Sequence, residues 1–359
     1  MALTVSQCLD LVNATNDDFT LDKLRVALTY PRYEVVNRIL PNYKKTAAGE
    51  NYTTDIQLDD ATNGGHVGML FYNDTSNVND TDQKATTAWK RYTNNCSYDR
   101  IQLSINAANK TRIYSYLKSK KIAMYRKSAD DIQAAFWSNP TGSADTTSIR
   151  GVAGWITMGT DDSTGGFTGT NGEYLDGTNF DCGGISSTTY PKWTNWYADH
   201  KGNLNETLLD TLGDACRATD FEAPQNVGGS VDGVATEGIA GMEFFTSNNV
   251  IKNIEKIARN SDDRIGYDLG KYQGKTMYKG IPFNYVKILD TASTYLYGTD
   301  PLYAINFDML YPVVLEDWYW QVDTEKNAFS HTVMTQYTDL VWNTHCEDRQ
   351  KAGFLISEQ

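Results

Sequence analysis

Residues 107–140 read AANKTRIYSYLKSKKIAMYRKSADDIQAAFWSNP, and the rest of the chain is best understood from this stretch outward. Ile113, Tyr116, Leu117, Met124, Ile132, Ala135 and Phe136 recur near helical spacing, and Pro140 and Gly142 close the run. A helix from about Ala108 to Ser138 is expected, roughly 30 residues and ~45 Å long. That is long for a compact core and suits a strut along a subunit. Lys110, Arg112, Lys118, Lys120, Lys121, Arg126 and Lys127 make its first half basic, with no acid among them.

Just upstream, the charge reverses. Glu50, Asp55, Asp59, Asp60, Asp74, Asp80 and Asp82 lie between Glu50 and Gln83, where there is no Lys or Arg. Tyr52, Thr54, Ile56 and Leu58 alternate with Thr53, Asp55 and Gln57, which predicts a strand with one apolar face. After a turn at Asn63–Gly65, a second strand is expected through Val67, Met69 and Phe71. Asn73–Gln83 (NDTSNVNDTDQ) has almost nothing to bury and reads as an exposed tip, with a return strand over Thr87–Tyr92. This is a long polar β-hairpin arm. Opposite charge blocks on an arm and on a long helix suit steering between neighbouring copies, so the arm is expected to lie over the helix of an adjacent subunit. Two solvated surfaces are the plainer alternative.

Two short helices are expected before the arm, Val5–Val12 and Leu21–Leu40, the second N-capped by Thr20, interrupted near Pro31 and stopped by Pro41. After the arm, Asp99, Ile101, Leu103 and Ile105 alternate as a strand leading into the long helix. Gly151–Gly184 is glycine-rich and irregular. Helical patterns return at Leu204–Ala218 and Asn249–Arg259, and Ile281–Leu289, Tyr311–Val322 and Thr332–Trp342 carry the β-branched and aromatic residues of strands. The class is α+β, with extensions projecting from a mixed core.

Composition narrows the function. At 359 residues, with 40% apolar and 21% charged residues, the chain can bury a real core in about two lobes. A net charge of -13 argues against gripping nucleic acid through its phosphates. No run reaches the ~18 apolar residues of a membrane helix, and MALTVSQCLDLVN lacks a signal-peptide layout, so a cytoplasmic origin is expected. Cys8, Cys96, Cys182, Cys216 and Cys346 are scattered and read as free thiols. His345 and Cys346 are adjacent nucleophile and base types, but on a strand they face opposite sides. His66, His200, His331 and His345 show no metal-ligand spacing. Gly270–Thr276 (GKYQGKT) is one residue short of a phosphate loop and is followed by a turn and strand. Asp161–Asp162 and Asp176–Asp181 lack the ligand pattern of a calcium loop. No catalytic, cofactor or metal site is expected.

The order of these pieces resembles the major capsid proteins of tailed bacteriophages, with the HK97-like fold. YPRYEVVNRIL running into KKTAAGENYTTDIQL is similar to that family's N-terminal arm and the entry to its extended loop, the E-loop. The segment at 107–140 is similar to the spine helix of its peripheral (P) domain, and SIRGVAGWI to the helix exit. FDCGGISSTTYPKWTNWYADH is similar to a Gly-Gly-Ile…Tyr-Pro-x-Trp element in one branch. GKTMYKGIPFNYVKILD and PLYAINFDMLYPVVL resemble the axial (A) domain closing back to the P domain, and HTVMTQYTDLVWNTHCEDRQKAGFL its final β segment.

The resemblance implies an N-terminal arm at 1–48, an E-loop hairpin at 49–98, a P domain with spine helix at 99–205, an A domain at 206–310 and a return to the P domain at 311–359. It implies a structural subunit forming pentamers and hexamers of an icosahedral shell around double-stranded DNA. No cofactor, membrane or sequence-specific DNA contact is implied. Partners would be other copies, a portal, decoration proteins and a separate scaffolding protein or none, since fewer than fifty residues precede the hairpin. Localisation would be the virion, assembled in the bacterial host cytoplasm. Lys84 stands alone between Lys45 and Lys90, and crosslinking through it is not expected. Two rival readings are a secreted or surface carbohydrate-binding β-rich module and an encapsulin-like compartment shell. The basic helix and missing export signal weigh against the first, and packaged cargo would distinguish the second.

Overall fold

The computed structural model describes residues 33–59, 66, 69, 81–101, 110–159, 165–169, 174, 181–221, 241–261, 276–291, 297–326 and 331–359. The expected helix at Val5–Val12, and most of that at Leu21–Leu40, lie outside them. The end of the latter is a π-helical turn, Val35–Ile39, running into a 3-10 turn, Leu40–Asn42, after which the chain extends at Tyr43. Pro41 has no N–H with which to prolong the helix.

β1 (Lys44–Thr46) leads to the hairpin, whose strands β2 (Asn51–Gln57) and β3 (Asp82–Ala88) pair antiparallel, Asn51 opposite Ala88 and Gln57 opposite Asp82. Strand alternation turns Tyr52, Thr54, Ala85 and Thr87 towards the body and leaves Asn51, Thr53, Asp55 and Lys84 outside. Asp82 and Gln83, expected in the tip, are strand residues instead. The expected strand through Val67, Met69 and Phe71 lies outside the described residues apart from Met69, which is fully exposed.

The return strand differs from expectation. It breaks at Trp89, whose indole donates to the Gly49 carbonyl at 2.9 Å, and resumes as β4 (Lys90–Asp99) in a different sheet. The alternating run expected from Asp99 to Ile105 is also overturned at its start. The Asp99 carboxylate accepts from the Ile101 N–H at 2.9 Å, and Arg100 and Ile101 are helical. The long helix is present as α1 (Lys110–Phe136). Its 27 residues span about 40 Å. Leu117, Lys121, Met124, Tyr125, Ser128, Ala129, Ile132 and Phe136 form its buried stripe.

The glycine-rich stretch condenses into short elements: α2 (Val152–Trp155), β5 (Gly166–Gly169), β6 (Asp181–Cys182) and β7 (Ile185–Ser186). Gly183 and Gly184 join β6 to β7 with φ of 66° and 81°, the left-handed pair of a two-residue hairpin turn. There follow β8 (Asn195–Asp199), α3 (Glu206–Ala218), β9 (Met242–Thr246) and α4 (Asn248–Ser261). Asn205 caps α3 by accepting from the Thr207 N–H at 3.0 Å.

β10 (Met277–Tyr278), β11 (Ile281–Tyr285), β12 (Thr299–Asn306), β13 (Leu310–Lys326) and β14 (Val333–Cys346) precede α5 (Arg349–Ala352) and β15 (Gly353–Glu358). The strand expected over Ile281–Leu289 stops at Tyr285, and Lys287–Asp290 forms a 3-10 turn. Asp290 holds that turn, accepting from the Asn248 N–H and the Tyr285 hydroxyl.

Two sheets organise the body. One has the order β1-β13-β14-β4, the other β10-β11-β9-β12-β15-β8-β5. The seven-stranded sheet is apolar on both faces. Trp196, Phe244, Leu302, Phe354 and Ile356 pack towards Leu208, Leu212 and Ala215 of α3 and Val250 and Ile254 of α4. Their neighbours Tyr197, Phe245, Tyr303 and Leu355 pack on the other side with Ile132 and Phe136 of α1 and Val314, Leu340 and Trp342 of the four-stranded sheet. Strand pairing therefore joins segments far apart in sequence into one core.

Candidate assembly interface

The hairpin stands on the four-stranded sheet, and its root is held by specific contacts. His345, at the end of β14, is fully buried. Its Nε2 lies 2.8 Å from the Thr54 hydroxyl of β2, and its Nδ1 lies 2.9 Å from the Thr87 hydroxyl of β3. The imidazole thus grips both strands. Beside it the Tyr52 and Tyr311 hydroxyls are 3.2 Å apart, and the Tyr52 ring packs edge-on against His345 at 4.7 Å. The Asn343 amide donates to the Ala88 carbonyl at 2.7 Å, and the Thr86 N–H to Gly183 of the β6–β7 turn at 2.8 Å.

Charge surrounds this root. Lys44 Nζ is 3.0 Å from Glu347 and 3.5 Å from the centre of the Tyr311 ring, while the Tyr311 hydroxyl donates to Glu347. Burial pushes the His345 imidazole down to about 4, with Lys44 and Arg150 adding to the effect and Glu347 opposing it. Burial works to raise the Glu347 carboxyl, but the hydrogen bonds from Tyr311 and Lys44 outweigh it and hold the group below its ordinary range. Tyr311 is pushed well up by burial and by Glu347.

Of the acidic block, Glu50, Asp55, Asp59 and Asp82 are exposed; Asp60, Asp74 and Asp80 lie outside the described residues. Asp55 sits 3.9 Å from Lys84 across the hairpin. Of the basic block, Lys120, Arg126 and Lys127 are exposed on α1. Lys110, Arg112 and Lys118 are helix positions whose side chains lie outside the description. Lys121 is turned inward: only 2% exposed, it faces the chain's own sheet, and burial lowers its ammonium with Cys96 opposing. It offers nothing to a neighbour. Lys127 is 2.6 Å from Asp131, one helical turn on, so the basic run is partly offset at its end.

The residues weighed for chemistry fall apart. Cys346 belongs to the apolar core, its thiol pushed well up by burial, while His345 faces the hairpin. Cys96, Cys182 and Cys216 are likewise buried thiols outside any disulfide. His200 packs near the Asp300 carbonyl at 3.2 Å. Gly270 to Gly274 and the acidic loops lie outside the described residues, except Asp181, which pairs with Ser186 in the β6–β7 hairpin. Among the described residues no group of three or more His, Cys, Asp or Glu could hold a metal ion. A groove of 470 Å³ between α1 and the four-stranded sheet is lined by Tyr92, Asp131, Ile132, Trp137, Ile149 and Trp342. Tyr92 is engaged with Asp131 at 3.1 Å and Arg91 with Asp339 at 2.7 Å, while the buried Trp137 indole N–H has no hydrogen-bond partner among the described residues.

One residue absent from sequence reasoning organises the body beneath the hairpin. Arg349 of α5 is 1% exposed. It donates to the carbonyls of Trp155, Trp193 and Gly169 and to the Thr157 and Asn195 side-chain oxygens, at 2.8 to 3.2 Å. All five acceptors are uncharged.

Against known proteins, no family model matches the chain. No curated protein matches it either. Solved structures do. A subunit of the cyanophage A-1(L) capsid superposes with a TM-score of 0.64 at 12% identity, covering 91% of this chain and 93% of that one. A subunit of the capsid of a native GTA particle gives 0.51 at 12% identity, covering 90% and 89%. The chain has the α+β fold of these capsid subunits along nearly its whole length.

Proposed function

We propose that this chain is a structural protein, the major capsid subunit of a tailed bacterial virus, which assembles with copies of itself into pentamers and hexamers of an icosahedral shell around double-stranded DNA. The observation that carries the reading is likeness of fold over most of the chain: the match to the cyanophage capsid subunit covers 91% of this chain and 93% of its counterpart. Enclosure of DNA by an acidic subunit needs no phosphate-binding surface, consistent with the net charge of -13.

In this reading 1–48 is the N-terminal arm, 49–98 the E-loop, 99–205 and 311–359 the P domain and 206–310 the A domain. The virion is its location, assembled in the host cytoplasm with a portal, decoration proteins and a scaffold supplied separately if one is needed. The hairpin crosses the α1 helix of a neighbour, Asp55, Asp59 and Asp82 of one copy facing Lys120, Arg126 and Lys127 of the next. Negative-stain electron microscopy of the purified protein, alone and with its neighbouring genes co-expressed, tests the whole. Closed shells of uniform size are expected. A monodisperse monomer under every condition would overturn the reading.

A further inference from the structure

We propose that His345 is an acid-sensitive latch for the hairpin: neutral, it ties β2 and β3 to β14, and protonated, it loosens the root. The ring sits where both strands leave the body, with one nitrogen on Thr54 and the other on Thr87. A neutral imidazole donates through one nitrogen and accepts through the other, so one threonine hydroxyl receives a proton and the other gives one. Either hydroxyl can take either role, and the clamp is fully satisfied without charge.

Protonation makes both nitrogens donors. The hydroxyls can rotate to accept, but the charge remains fully buried. The groups around it do not compensate. Lys44 of β1 and Arg150 before α2 repel an imidazolium. Glu347, the carboxylate that favours it among the described residues, already receives bonds from Tyr311 and Lys44. Tyr52 of β2, Tyr311 of β13 and Trp155 of α2 complete the wall with aromatic rings. Parting the hairpin root is the route by which the charge reaches water. Ala85, fully buried in β3, shows how closely the root is seated when latched.

Hydrogen exchange by mass spectrometry, with labelling times scaled to the intrinsic rate, reads this directly at about pH 7.5 and about pH 5. With the ring shifting from about 4 when latched to its ordinary value when hydrated, opening of residues 51–57 and 82–88 should rise up to about thirtyfold at the lower pH. Helix 206–218 should not change. His345→Gln, which keeps a donor and an acceptor but cannot titrate, should flatten the response. Lys44→Met removes one repelling charge from an exposed position on another strand and should shrink it. A flat wild-type hairpin, loosening of helix and hairpin together, or an undiminished response in either variant overturns the latch. The readout is internal to one chain, so it stands or falls separately from shell assembly.

Discussion

Two buried side chains set the terms at the scale of single residues. Arg349 satisfies five uncharged acceptors at once, a pattern only a planar five-donor fork can supply. Arg349→Met should therefore cost about 1–3 kcal/mol by stranding backbone carbonyls of Trp155, Trp193 and Gly169, while Asn195 Oδ1 keeps its bonds from Thr157, and Arg349→Lys should recover only part of it, read as the shift in urea midpoint. His345 makes stability depend on pH. Its folded value is depressed to about 4 from 6.5, so the unfolded chain binds the proton first as pH falls. The contribution is complete above about pH 6.5 and declines by about 3 kcal/mol as pH drops to about 4. Urea titrations across that window should show the slope in the wild type and a shallower one in His345→Gln. Neither role was legible in sequence. Thr54 could be placed on an inward face because strands alternate, but its partner lies 291 positions away and no local pattern announces it. The adjacency of His345 and Cys346 invited a chemical question that strand geometry answers, and the same geometry points the histidine at the arm.

Elements show where local signals suffice and where they end. α1 was readable because 27 residues of helical periodicity are bounded by Pro140, and the hairpin because one face alternates cleanly. The break at Trp89 was not, because β3 and β4 differ in what they pair with and not in what they contain. Gly183 and Gly184 make a sharper test of element-level logic. Both hold positive φ, but a Cβ on Gly183 would meet the Trp155 ring at 3.0 Å, whereas nothing lies within 4 Å of one on Gly184. Gly184→Asn should cost a few tenths of a kcal/mol and Gly183→Ala about 1–2 kcal/mol or more, since it adds a clash to the same backbone strain. Thermal denaturation of the two variants distinguishes them. Because the Gly183 carbonyl receives the Thr86 N–H, the Gly183 variant should also lower exchange protection in β3.

For the molecule as a whole, composition and order of elements reached the fold class, but the two sheets could not be assigned. Their strand orders splice segments from both ends of the chain, and the exposure of Lys120 against the burial of Lys121 depends on that splicing. The proposed contact between copies is electrostatic and solvent-exposed, so assembly should weaken steeply from low to high salt and lose on-rate first. Reversing Asp55, Asp59 and Asp82 to Lys should block shells, and adding Glu at Lys120, Arg126 and Lys127 should restore them; light scattering follows both. Salt-insensitive assembly would remove the charge contact while leaving the fold untouched. The seven-stranded sheet carries a further consequence, one of timing. β15, the strand made latest among those described, lies between β12 and β8 and is the only hydrogen-bonded bridge from the β8–β5 pair to the remaining strands. A chain still on the ribosome lacks that bridge, so the described strands of this sheet join into one layer only once synthesis has passed residue 358.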